Sequence, residues 1–258
     1  PHALAFFAAA WGIDAAVRSP TLPRGALAGT LVALAIGVKF SALALFPIAA
    51  LLAGAEAVTR RWDRAWLRRL SLSAATALVF GYLALVAIYL GDFALTDLRW
   101  GLEYTFRHVR QGHGVPGYLL GEFSPMGWWY FYPVAFLLKT PAALHALIAL
   151  AIVGLLTTGS RTSVLESRLR APLIGGAVFL ASLLQSNLVI GFRHALPLVV
   201  FACVLAGAGA ARLWERGTRR VQAVILALVL WYAASSLSYY PHFLAYTSEY
   251  VPERDRGH

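Results

Sequence analysis

Long stretches of the chain are apolar without interruption, and polar residues collect in the short connections between them. Because the apolar residues are continuous rather than alternating with polar ones, the pattern predicts helices and not strands. Several runs are shorter than the ~20 residues of a perpendicular membrane helix, so they must tilt, pair as hairpins or extend into the interface. The runs cover about residues 3–17, 25–39, 41–58, 71–91, 129–158, 172–190, 195–211 and 221–238. The predicted fold is one all-α integral membrane domain over residues 1–258, a polytopic helical bundle of about 7–8 apolar segments.

The composition also favours a membrane protein. Hydrophobic residues make up 59% of the 258 residues and charged residues 13%, whereas a soluble domain has about half and about a quarter. The single cysteine, Cys203, excludes an intramolecular disulfide. The chain begins with Pro1 rather than methionine, and its first apolar run lacks the basic leader and cleavage site of a signal peptide. We therefore expect the chain to be a fragment of a longer protein.

The basic residues predict an orientation in the membrane. The net charge of +10 would suggest nucleic acid in a soluble protein, but fourteen of the twenty arginines fall in four connections between apolar runs. Placing all four on the cytoplasmic side gives a consistent alternation of the helices. A long loop at 92–128 then faces the extracytoplasmic side. The expected contacts of the arginines are acidic lipid headgroups, and nucleic acid is not needed as a partner. The four connections are 18–24, 60–69, 160–171 and 212–220.

The stretch "GWWYFYPVAFLLKTP" predicts a break in a long apolar run. One straight helix over 128–158 would be about 46 Å long, well beyond the ~30 Å hydrocarbon core. Thr140 is a good N-cap and Pro141 suits the first helical position, so we expect the spanning helix to begin near Pro141. The preceding aromatic residues then form an interfacial belt or a short re-entrant helix. Lys139 would lie directly before a helix N-terminus, where an anion is favoured.

Further cations are predicted beside Lys139 on the outer side. Arg193 and His194 lie in a turn before another helix start, and Lys39 lies at the outer end of its run. Such a group of cations at headgroup depth suits a phosphate or pyrophosphate. Each has a simpler alternative, because Lys39 could reach the interface along its own side chain and Arg193 could be solvated in a short turn. The acidic residues Asp14 and Glu56, near cytoplasmic helix ends, are expected to be solvated or paired.

The outer loop contains titratable residues without a specific spacing. Leu98, Leu102 and Phe106 share one helical face, which predicts a helix on the membrane surface. His113 and Glu122 are candidates for metal ligation or for hydrogen bonds to a sugar. No pair of carboxylates stands out as an acid and base, although Asp92, Asp97 and Glu122 are candidates for a base. A divalent metal is the one cofactor left open.

Four stretches together resemble a known family. They are "LAGTLVALAIGVKFSALALFPIAALL", "GHGVPGYLLGEFSPMGWWYFYPVAFLLKTP", "NLVIGFRHALPLVVF" and "YYPHFLAYTSEY". In this order they look like the bacterial relatives of dolichyl-phosphate-mannose–protein mannosyltransferases, in the type C superfamily of membrane glycosyltransferases. The lipid A aminoarabinose transferases belong to the same superfamily. The resemblance runs along nearly the whole chain.

The resemblance implies a membrane enzyme. A polyprenyl-phosphate sugar would be the donor, and an acidic residue would deprotonate the hydroxyl of an acceptor at the extracytoplasmic face of a bacterial inner membrane. By resemblance, Lys139, Arg193 and His194 would bind the donor phosphate. Glu122, His113 and His242 would line the sugar or acceptor pocket. The family's catalytic aspartate precedes the region matched here, so the base is expected upstream of Pro1 and no catalytic residue is assigned in this chain.

Two other classes of function stay open from the residues alone. The chain could be a transporter or lipid-binding membrane protein for an anionic substrate, or a non-catalytic subunit that works with other membrane subunits. A transporter often carries internal repeats and a charged site near the membrane midplane, and neither is found in this sequence. That absence disfavours the transporter.

Overall fold

The structure, a computed structural model, describes residues 1–111, 116–157, 169–186, 189 and 191–251. The described chain is almost entirely helical, with one small β-hairpin, β1 (Gly117–Leu119) and β2 (Glu122–Ser124). Short 3-10 turns, Phe40–Ala44 and Phe192–Ala195, precede two of the helices, and a third, Phe243–Ala245, follows the last. The helices are α1 (His2–Arg18), α2 (Leu22–Val38), α3 (Leu45–Thr59), α4 (Arg64–Ile88), α5 (Thr96–Gln111), α6 (Phe131–Lys139), α7 (Ala142–Thr157), α8 (Arg170–Leu184), α9 (Leu196–Arg216) and α10 (Arg219–Leu237).

The predicted all-α fold is confirmed, but the number of membrane spans is not. Within the described residues, four helical stretches are long and apolar enough to cross a membrane: Phe40–Thr59, Arg64–Ile88, Phe192–Arg216 and Arg219–Leu237. A fifth is formed if α6 and α7, bent by 110°, are one broken span. The expected 7–8 spans are not reached because α2 and α8 are apolar but have only 17 and 15 residues.

The predicted loop at 92–128 contains ordered elements. Its first half is helix α5, as the apolar spacing predicts, but Leu98 and Leu102 pack against the bundle core. The hairpin was not predicted, because strands of three residues are too short to show an alternating pattern. Its turn residues Leu120 (φ 51°) and Gly121 (φ 93°) have the two positive φ values of a tight type I′ connection.

Helices α2 and α4 form the closest helix pair in the bundle. A Cβ atom on Gly29 would lie 2.0 Å from the carbonyl oxygen of Ala77, and one on Gly25 would lie 2.1 Å from that of Ser73. The four-residue spacing places both glycines on one face of α2, so the two backbones can approach directly. Small residues at this spacing are typical of helix contacts in membranes, where dispersion rather than water exclusion drives association.

Successive long helices run in opposite directions between two ends of the bundle. At one end, which we call the lysine end, Ser41 contacts His2, and Gly37 of α2 faces Ile88 at the end of α4. At the other, the arginine end, Nη2 of Arg60 donates to the carbonyl of Arg18 over 2.8 Å. This alternation agrees with the order of apolar runs and connections in the sequence.

Candidate functional site

Two cationic residues far apart in sequence meet at the lysine end. Nζ of Lys39, in the turn between α2 and α3, lies 2.9 Å from Nδ1 of His194, in the 3-10 turn before α9. Because an ammonium group can only donate, Nδ1 of His194 accepts this hydrogen bond and the imidazole is neutral in this contact. Sequence reasoning singled out both residues, and the structure brings them together across 155 positions.

Arg193 completes a group of three residues that we call the cation cluster (Lys39, Arg193 and His194), in which Lys39 and Arg193 carry the positive charge. Burial lowers the pKa of Lys39, and the charge of Arg193 lowers that pKa further. Arg193 is exposed, while Lys39 and His194 are half-buried. Within the described part of the chain, no ion pair joins Lys39 or Arg193 to a carboxylate. Like charges held together without a counter-charge favour binding of an anion.

His2 adds a polar group beside the cation cluster. Its Nε2 lies 3.1 Å from Oγ of Ser41, two residues after Lys39. Its Nδ1 is buried and has no hydrogen-bond partner among the described residues. His2 was not predicted, because a histidine at the start of an apolar run gives no signal about which turn it will meet.

An apolar cavity of about 510 Å³ lies between α1, α2, α3 and α4. Its lining extends along α4 from Leu70 to Leu85, about 22 Å at ~1.5 Å per residue. The two polar side chains in the lining already have partners, since Ser73 donates to the carbonyl of Thr21 and Tyr82 donates to that of Phe93. The cavity therefore suits a hydrocarbon occupant and not a polar one.

The cavity reaches the lysine end close to the cation cluster. Two lining residues, Ile36 and Leu45, lie three residues before and six residues after Lys39. Along α2, the apolar lining thus stops three residues before Lys39, which forms no ion pair with a carboxylate among the described residues. This combination matches an amphiphile that has an anionic head and a hydrocarbon chain.

Lys139 lies at the elbow between α6 and α7, which we define as residues 138–142. Its Nζ lies 3.4 Å from Oγ1 of Thr247. The elbow adjoins the turn of the cation cluster, because the rings of Phe136 and Phe192 are 6.5 Å apart. The predicted helix break is present, with α7 beginning at Ala142.

Thr140 does not cap α7 as expected. Its hydroxyl donates to the carbonyl of Phe136 over 2.6 Å and contacts Nε2 of His145 at 2.8 Å. Glu249 instead accepts the N–H of Ala142 over 3.0 Å, so an anion from the chain itself occupies this helix start. Sequence reasoning missed Glu249, because nothing in the sequence links it to a helix more than 100 positions away.

The structure describes two of the three residues predicted for a sugar pocket, and both are exposed. Glu122 is exposed at the start of β2, and His242 is exposed directly before the turn Phe243–Ala245. His113 lies outside the described residues. Asp92, one candidate base, accepts backbone N–H groups of Ala94 at 3.0 Å and Thr96 at 2.5 Å, and so caps α5. Among the described residues, no three His, Cys, Asp or Glu side chains group as metal ligands would.

The arginine end contains a buried ionic network that was only partly predicted. Nε of Arg170 donates to Asp14 over 2.5 Å, and its Nη1 donates to Glu56. Arg18 and Arg60 bind the outer oxygens of the same two carboxylates at 2.8 and 2.6 Å. Asp14 and Glu56 are thus paired, as expected. Arg170 was predicted in the cytoplasmic connection 160–171 and in contact with lipid headgroups, but it is the first residue of α8 and its side chain is fully buried.

Comparison with protein-family models, with curated proteins and with solved structures finds no match to this chain. The proposals below therefore depend on the residues and their geometry.

Proposed function

We propose that this chain is the part of a membrane glycosyltransferase that binds a polyprenyl-phosphate sugar, with its lysine end at the extracytoplasmic face of a bacterial inner membrane. The observation that carries the proposal is the cation cluster beside the end of the apolar cavity. The cluster provides a site for the phosphate, and the cavity provides a site for part of the hydrocarbon chain. Lys139, at the neighbouring elbow, is a further cation for the phosphate.

The chemistry of glycosyl transfer gives these cations a role beyond binding. When an acceptor hydroxyl displaces the lipid phosphate, negative charge develops on the leaving phosphate oxygens. Fixed cations in a site with little water stabilise that charge without having to reorganise. The carboxylate base that takes the proton of the acceptor hydroxyl is expected outside the residues assigned here, as the family resemblance implies.

Binding is tested with the purified chain in nanodiscs of phosphatidylcholine. We expect Lys39→Ala, Arg193→Ala and Lys139→Ala each to weaken binding of a polyprenyl-phosphate sugar by about 10–100-fold, which corresponds to the loss of a charge-assisted hydrogen bond. Arg107→Ala is the matched control, since Arg107 is an exposed arginine on α5. The corresponding polyprenyl alcohol, which lacks the phosphate, should bind equally to all variants.

Two outcomes would overturn parts of the proposal. If the three variants bind the donor as tightly as the unmodified chain, the phosphate site is wrong. If the donor binds at this site but polyprenyl phosphate is never released from it in the presence of acceptors, in any length of the protein, the lipid-binding alternative replaces the transferase.

A further inference from the structure

The residues after α10 fold back onto the elbow between α6 and α7. Residues 246–250, which we call the strap, form a short segment at the lysine end that finishes in a turn. Two of them are well buried, since Tyr246 is 6% exposed and Ser248 is 0% exposed. A polar segment buried at this position needs specific partners, and the elbow provides them.

The break between two helices leaves backbone groups without intrahelical partners, and the strap satisfies one on each side. Ser248 donates its N–H to the carbonyl of Leu138, near the end of α6, over 2.7 Å. The carboxylate of Glu249 accepts the N–H of Ala142, at the start of α7, over 3.0 Å. In lipid, where water cannot substitute, unsatisfied helix ends cost several kcal/mol in general, so these two bonds matter at a bend of 110°.

Glu249 also connects the elbow to α10. Its Oε1 accepts a hydrogen bond from the hydroxyl of Ser235 in α10. Its Oε2, which accepts the N–H of Ala142, also accepts a hydrogen bond from the hydroxyl of Tyr246 over 2.8 Å. Burial alone would raise the pKa of Glu249, but the donors of Ser235, Ala142 and Tyr246 outweigh it and hold the pKa at about 2. The carboxylate is therefore ionised and fully engaged with donors from three parts of the chain.

Lys139 lies between the two backbone bonds of the strap. Leu138 and Ala142 are bound by Ser248 and Glu249, and Lys139 itself donates to Thr247 over 3.4 Å. The ring of Tyr250 stacks on His145, one turn into α7, with 5.6 Å between ring centroids and 10° between planes. The position of the Lys139 ammonium group is thus determined by the strap as well as by α6.

We propose that Glu249 is a positioning residue, which fixes the elbow and through it directs Lys139 towards the anion held by the cation cluster. The inference rests on the proposed function, because Lys139 matters for catalysis only if the site binds a phosphate. Its first half, the control of Lys139 by Glu249, is independent of any ligand. The two halves are therefore tested separately.

The ligand-independent test uses the two lysines of the chain, Lys39 and Lys139. In protein labelled with ¹³C at the lysine Cε, Glu249→Ala should move the Lys139 signal towards that of a solvated lysine and leave the Lys39 signal in place. Backbone amides of residues 131–145 should exchange hydrogen about 10-fold faster, while those of α2–α4 are unchanged. Glu249→Gln keeps one acceptor oxygen, so its Lys139 signal and its amide exchange rates should lie between those of the unmodified chain and those of Glu249→Ala. Glu215→Ala, at an exposed position of α9, is the control.

The second test is a double-mutant cycle on binding of polyprenyl phosphate. Lys139→Ala should weaken binding about 10-fold in the unmodified chain but less than about 2-fold when Glu249 is already alanine. Arg193→Ala should have the same effect in both backgrounds. If Glu249→Ala caused a general loss of structure, the effects of Lys139→Ala and Arg193→Ala on binding would both become smaller in that background.

The outcomes separate the two proposals. If the Lys139 signal and the elbow amides do not change in Glu249→Ala, or if the Lys139 and Glu249 effects on binding are additive, the positioning role is wrong. If the unmodified chain binds no polyprenyl phosphate, the proposed function fails, and the lysine signals alone decide whether Glu249 controls Lys139.

Discussion

The two ends of the bundle hold their charges in opposite ways. At the arginine end, Arg170 lies between Asp14 and Glu56, and each carboxylate also binds a second arginine. At the lysine end, Lys39 contacts a histidine, and neither it nor Arg193 forms an ion pair with a carboxylate within the described residues. Charges that neutralise one another stabilise a fold, whereas charges of one sign held together are unfavourable until an anion arrives. The difference separates a structural network from the site that we propose for an anion.

The carboxylate of Glu249, at the lysine end, supports this distinction. Glu249 lies close to Lys139, yet its oxygens accept hydrogen bonds from Ala142, Ser235 and Tyr246. It stabilises a helix start and, among the described residues, forms no ion pair with Lys39 or Arg193. Burial, together with the hydrogen bond that the Tyr246 hydroxyl donates to Glu249, raises the pKa of that hydroxyl.

The largest effect is expected for Arg170→Met. The substitution leaves Asp14 and Glu56 buried and facing each other, so the free energy of unfolding should fall by about 3–5 kcal/mol. Thermal unfolding of the detergent-solubilised chain measures the loss. Arg64→Met, at an exposed arginine at the start of α4, should stay within about 0.5 kcal/mol.

A combined variant sharpens this prediction. Replacing Asp14 and Glu56 by leucine together with Arg170→Met removes the buried part of the network and leaves only the more exposed Arg18 and Arg60, so most of the lost stability should return. An unchanged stability in the single Arg170→Met variant would show that the network is not structural.

An intermediate effect is expected for Glu249→Gln. Loss of the ionised acceptor should lower the free energy of unfolding by about 1–3 kcal/mol at pH 7. Because the folded-state pKa of Glu249 is about 2, below the ~4.3 of an unfolded glutamate, its contribution is complete above pH 5 and is lost as the pH falls towards 2. The stability difference between the two proteins should shrink over that range. A difference that is independent of pH would contradict the role of the charge.

The smallest effect on stability is expected for Lys39→Met. No carboxylate loses a partner, and the burial of a charge is removed, so stability should be unchanged or rise by about 1 kcal/mol. Arg60→Met, at the more exposed rim of the network, should instead destabilise by about 0–1 kcal/mol. Unfolding of both variants under the same conditions measures the difference between their free energies of unfolding. If Lys39→Met lowered the free energy of unfolding by more than about 2 kcal/mol, Lys39 would be one of the charges that stabilise the fold.

The sequence predicted the helices well because each depends on a local pattern. The continuous apolar runs all became helices, the spacing of Leu98 and Leu102 predicted α5, and length together with Pro141 predicted the elbow. The hairpin was missed because Tyr118 and Phe123 pair across only three residues on each strand. The number of spans was overestimated because apolar runs shorter than ~20 residues were counted as spans that tilt or extend into the interface.

The candidate site was predicted in its residues but not in its pairing. Lys39, Arg193 and His194 were recognised as cations near helix ends, yet only the fold shows that Lys39 meets His194. The partners of Arg170 and Glu249 lie more than 100 positions away in sequence, apart from Ser235 and Tyr246. A single sequence contains no information about such pairings, because each residue alone is equally consistent with a solvated surface position.

The most direct measurement of the central claim is a pH titration of the two lysine ¹³Cε signals, with and without a polyprenyl-phosphate lipid. In the free protein, the pKa of Lys39 should lie below that of a solvated lysine, because of burial and of the nearby Arg193. Bound phosphate supplies the missing negative charge, so the Lys39 signal should shift and its pKa should rise. If saturating lipid phosphate leaves both the position and the pKa of the Lys39 signal unchanged, the cation cluster is not the phosphate site.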